Sequence, residues 1–95
     1  MGNMPKRFRN IIGARVKALR TKRELTQEQL LARLQIAGLD HYTRETVAKI
    51  EGNIRSVFDY EVPIIAQCLD VEIAELMPRK AVLTKALPDL IQGHR

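Results

Sequence analysis

The residues best equipped for chemistry on a bond are few, and their spacing assembles no reaction centre. Asp40 and His41 are adjacent, as an acid and a general base would be, but no nucleophile lies near them. His41 and His94 stand outside any ligand spacing, no Cys/His cluster offers a zinc site, and no glycine-rich loop is built to cradle phosphate. The single Cys68 lies in the run Ile64-Ile65-Ala66-Gln67-Cys68-Leu69, where a thiol reads as a small buried hydrophobe. This inventory points away from an enzyme, and it calls for no cofactor and no metal.

What the chain does carry is charge. It has 95 residues and a formal net charge of +5. Residues 1–23 hold eight basic groups and no acidic one: Lys6, Arg7, Arg9, Arg15, Lys17, Arg20, Lys22 and Arg23. The rest of the chain balances eight basic groups against all eleven acidic ones. A positive N-terminal segment on a net-negative body fits contact with a polyanion, nucleic acid before membrane; its plain alternative is a solvated basic helix face. The length allows one small core and excludes a multi-domain enzyme or a regulator with a separate sensing domain. A lone cysteine, no secretory pattern and no apolar stretch near the roughly 18 residues of a membrane span imply a soluble, cytoplasmic protein.

The elements that must position these groups read as helices throughout. Phe8, Ile11, Ile12, Arg15, Val16 and Leu19 line one face of a first helix ending near Lys22. Thr26 with Gln29 three residues later is a capping box, with Leu25 and Leu30 as a hydrophobic staple, so a second helix runs from about Gln27 to Ile36. Gly38 ends it, and Leu39 and Tyr42 anchor the connector. Thr43 caps a short third helix from Arg44 to about Gly52, with Val47 and Ile50 inward and Arg44, Glu45, Ala48 and Lys49 outward. Asp59 is expected to cap a fourth helix through Leu69, and a short fifth turn spans Glu72 to Met77. Beyond it Ala81, Val82, Leu83, Ala86, Leu87, Leu90 and Ile91 are apolar. Pro88 is expected to break any helix near Leu87. These residues pack either on their own domain or on a partner subunit.

Residues 26–50 thus form a capped helix, a connector and a second short helix, a helix-turn-helix arrangement. Here the residues carry a resemblance. Leu25-Thr26-Gln27-Glu28-Gln29-Leu30 and Thr43-Arg44-Glu45-Thr46-Val47-Ala48-Lys49-Ile50-Glu51 resemble the Xre-like family, which includes the lambdoid phage repressors and Cro proteins. Leu19-Arg20 and Ala66-Gln67-Cys68-Leu69 fit that family's first and fourth helices, and the likeness covers roughly residues 11–77.

The resemblance implies a five-helix, all-α lambda-repressor-like domain over residues 7–77, with residues 78–95 as a tail. It implies a sequence-specific double-stranded DNA-binding regulator of the repressor type, working as a homodimer on an inverted repeat. Arg44, Glu45 and Lys49 fall where relatives contact base edges: Arg44 toward guanine O6 and N7, Glu45 toward cytosine N4. Gln27 and Thr43 correspond to phosphate contacts, and Asn53 and Arg55 to backbone contacts just beyond the recognition helix. Glu45 has a second reading, neutralising Arg44 or the helix dipole. Arg20 and Glu51 correspond to a structural ion pair.

The chain departs from the pattern in several places. Leu34 to Thr43 is longer than the usual turn by roughly six residues, Phe58 replaces a capping Ser or Thr, Pro63 lies inside the fourth helix, and Gly52-Asn53 inverts the usual order. An antitoxin-type module, binding a protein partner through residues 79–95 and autoregulating its operon, is the alternative reading.

Overall fold

The computed structural model describes residues 10–92, and all their regular structure is helical: α1 Gly13–Lys22, α2 Gln27–Ile36, α3 Arg44–Glu51, α4 Glu61–Cys68, α5 Ile73–Leu76 and α6 Lys80–Gln92. Phe8, Lys6, Arg7, Arg9 and His94 lie outside the described residues. α1 packs on α3 and α5, α2 on α3 and α4, and α4 on α5. Ile12, Val16, Leu19, Leu30, Leu34, Val47, Ile50, Ile65, Leu69 and Leu76 fill the space between them. Leu39 and Tyr42 join them from the connector, as the sequence leads one to expect.

The longer connector adds a loop and leaves α2 its expected length. α2 closes at Ile36, and Gly38 takes a φ of 121° that an L side chain resists. Leu39 N–H then donates to Leu34 O and Gly38 N–H to Gln35 O, the paired bonds of a Schellman cap. Pro63 is the third residue of α4, inside the first turn, where its missing N–H has no intrahelical partner to lose.

Three expectations need correction. α1 begins at Gly13 because the Asn10 side chain takes the Ile12 and Gly13 N–H groups, at 3.0 and 2.9 Å, and so turns the chain just before the helix. Asp59 does not cap α4; its only bond there is a carbonyl accepting from Val62 N–H. The Glu61 side chain reaches back instead to Phe58 N–H at 2.9 Å, half of a capping box without the hydroxyl. Finally, Pro88 does not stop α6, so the described residues hold six helices rather than five. Pro88 and Thr84 are both exposed, so the carbonyl deprived of its partner can be solvated.

Candidate nucleic-acid interface

α2 and α3 are each started by a side chain. Thr26 Oγ1 accepts from Gln29 N–H at 3.0 Å, and Gln29 Oε1 accepts from Thr26 N–H at 2.8 Å. Thr43 Oγ1 accepts from Thr46 N–H at 3.2 Å, while Thr46 Oγ1 accepts from Thr43 N–H at 3.1 Å. The second box, with Thr in the place usual for Glu or Gln, is not evident from sequence. It fixes where α3 begins. From that start Val47 and Ile50 fall inward and buried, and Arg44, Glu45, Ala48 and Lys49 fall outward.

The exposed face is lightly bound to itself. Arg44 Nη1 lies 3.6 Å from Glu28 Oε2 in the first turn of α2, and Lys49 Nζ lies 3.5 Å from Glu45 Oε2 one turn back. Glu45 therefore pairs with Lys49, and the expectation that it neutralises Arg44 is corrected. All four side chains are about half exposed or more, and such pairs contribute about 0–1 kcal/mol. Beside α3, a shallow groove of about 570 Å³ runs along Thr43, Thr46, Lys49, Ile54, Ser56 and Phe58.

Behind this face sits a charged brace. Arg20 Nε donates to Glu51 Oε2 at 2.6 Å and Nη2 to Oε1 at 3.1 Å, with the Glu51 side chain only 3% exposed. Arg20 Nη1 also holds Leu25 O at 2.7 Å. Gln27 Nε2 donates to the same Glu51 carboxylate at 3.0 Å. One acid thus joins the end of α3 to α1 and to the first residue of α2. An amide nitrogen has two protons, so Gln27 retains a donor beyond the one it gives Glu51.

Asn53 and Arg55 do not sit alike. Asn53 takes φ 58° just after α3, and its side chain lies against Gly13. A Cβ at position 13 would collide with Ile50 O and Asn53 Oδ1, so glycine there lets α1 approach the end of α3. Arg55, expected as a DNA backbone contact, lines the groove beside α3 but spends its guanidinium within the domain. Its Nη1 and Nη2 bind the two Glu61 oxygens at 3.1 and 3.0 Å, and its guanidinium lies 5.2 Å from the Tyr42 ring centroid. Glu61 is wholly buried. Burial alone would raise its pKa, but the bonds from Arg55 and Phe58 N–H outweigh that and hold it below the ordinary carboxylate range. The Tyr42 hydroxyl is buried without a well-formed hydrogen bond, and burial beside Glu61 pushes its pKa well above that of a free phenol.

The sequence also misses Asn10. Besides capping α1, its Nδ2 donates to Ile50 O at 2.8 Å and Arg55 O at 3.1 Å. Nothing local signals a bond across forty residues. Among the described residues no His/Cys/Asp/Glu group of three or more could hold a metal, and no helix is long and apolar enough to cross a membrane. No family model, curated protein or solved structure matches the chain.

Proposed function

We propose that this chain is a lambda-repressor-like, Xre-type regulator that reads specific double-stranded DNA with α3. The observation that carries this reading is the twice-capped α2–α3 unit, whose outer face presents Arg44, Glu45, Ala48 and Lys49 while Val47 and Ile50 are buried. An α-helix with such a face fits the major groove, and backbone N–H groups at the start of α2, with Gln27 and Thr43, suit phosphate oxygens. Opening the Arg44–Glu28 pair costs at most about 1 kcal/mol, whereas a bidentate arginine–guanine contact is worth roughly 1–3 kcal/mol of discrimination. The exchange favours DNA.

One short helix reads only a few base pairs, so the functional unit is a homodimer on an inverted repeat with half-sites about 34 Å apart. The protein is a cytoplasmic, non-enzymatic repressor, and Arg55 drops out of its DNA contacts.

Duplexes selected from a random pool test the reading. The selected sites are expected to be two-fold symmetric, and Arg44→Ala or Lys49→Ala to lose about 1–3 kcal/mol of sequence preference. Unchanged preference in both variants would overturn the assignment of α3.

A further inference from the structure

Between α6 and the adjoining faces of α1 and α5 lies a half-enclosed cavity of about 590 Å³. A second hollow of about 470 Å³ adjoins it, with Ile11, Met77 and Leu90 lining both. Spaces of roughly 300–1,000 Å³ are those that hold small molecules. α6 turns Leu83, Ala86 and Leu90 toward the cavity, yet none of its residues is fully buried. Among the described residues the wall is mostly apolar and incompletely filled.

Two cations share that wall. Arg15 and Arg79 both line the cavity, and among the described residues neither meets a carboxylate. Arg15 uses its Nε on the Glu75 carbonyl at 3.0 Å, and its remaining donors are uncommitted. The Glu75 carboxylate, the acid in the lining, accepts the Glu72 N–H at 3.1 Å. A second copy of the chain covering this face would have to take two unpaired guanidinium groups out of water, a costly step. An anion with an apolar body would pair them and fill the cavity together.

We propose that this cavity binds a small amphipathic carboxylate, its chain against Leu83, Ala86 and Leu90 and its head group on Arg15 and Arg79. Asn10 also lines the cavity, and the same side chain holds Ile50 O in the last turn of α3 and Arg55 O in the segment after it. An occupant would therefore touch the residue that ties α1 to the recognition helix. Any effect on DNA reading rests on the function proposed above; binding of the carboxylate does not.

The test is an amide-resolved NMR titration of the full chain with octanoate, and in parallel with 1-octanol. Octanoate is expected to give saturable shifts at Ile11, Ala14, Leu83 and Ala86. Octanol should bind about ten-fold more weakly, a difference of roughly 1.4 kcal/mol between a carboxylate and a neutral hydroxyl on the same two guanidinium groups. Arg79→Gln, an exposed change that leaves the core intact, should weaken octanoate by a similar factor and leave octanol unaffected. No saturable shift, equal binding of acid and alcohol, or an indifferent Arg79→Gln would overturn the proposal. So would sedimentation showing a dimer that protects the same amides without ligand, since the cover would then be a second copy. A duplex-binding assay on the same sample separates the two readings: octanoate binding without DNA binding leaves this site standing and removes the other.

Discussion

At the scale of single residues, α3 is held from forty residues away by Asn10, a contact that no motif announces. Asn10 accepts two backbone protons with Oδ1 and donates to two carbonyls with Nδ2, from a site only 6% exposed. Asn10→Ala strands several buried groups at once and is expected to cost about 2–4 kcal/mol in urea unfolding. Asn10→Asp keeps the acceptor but turns a carboxylate toward Ile50 O and Arg55 O, so it should rescue little. Wild-type stability in the Asp variant would show that the donor half contributes nothing. Glu61 poses the pH question. Its folded pKa is lowered, so its contribution is complete above the ordinary carboxylate pKa and is lost as pH falls through the depressed value. Stability should therefore drop as pH falls below about 4.3. Glu61→Gln is expected to be weaker at pH 7 by about 3 kcal/mol, because Arg55 loses its buried partner, and to lose less on acidification. Parallel acid sensitivity in both proteins would remove Glu61 as a source of that loss.

At the scale of helices, what can be read from sequence is what is local. The Thr26–Gln29 box is written in residues three apart, and α2 begins and ends where its pattern places it. The face of α3 follows from its periodicity in the same way. The beginning of α1, the place of Arg55 and the course of α6 were not legible, since each depends on groups distant in sequence or on solvation of one carbonyl. The helix ends show the same division. α1, α2, α3 and α4 each close with Schellman bonds, yet the left-handed position is glycine only at Gly38. Glu24, Asn53 and Asp70 hold φ near 59° without being glycine. Asn tolerates that conformation; Glu does not. Glu24 is exposed and carries no contact that argues for its side chain, so Glu24→Gly is expected to stabilise the domain by about 0.5–1 kcal/mol. For a domain this size that is a rise of about 4 °C in thermal midpoint. A midpoint that stays put or falls would mean the α1 terminus relaxes at no cost.

At the scale of the whole molecule, the basic N-terminal segment divides by role. Arg20 is committed to Glu51 and Arg23 to the Asp70 carbonyl at 2.8 Å, while Arg15 gives one donor to the Glu75 carbonyl and keeps the rest, so part of this charge braces the fold. Lys17 and Lys22 remain exposed. A count of positive charge therefore overstates the free charge that α1 carries, and under the proposed function α3 supplies the discrimination. The same view separates the body from α6. Among the described residues every member of the buried core lies between Ile12 and Leu76, while α6 contributes only half-buried Leu83, Ala86 and Leu90. Removing residues 79–95 thus takes away partial burial of two leucines and an alanine, worth about 2 kcal/mol of apolar transfer, and leaves the packing of α1–α5 intact. The truncated chain is expected to unfold in a single cooperative transition with nearly native helical signal per residue. If it is instead unfolded at 25 °C, α6 is part of the folding unit, and the cavity beneath it belongs to the core.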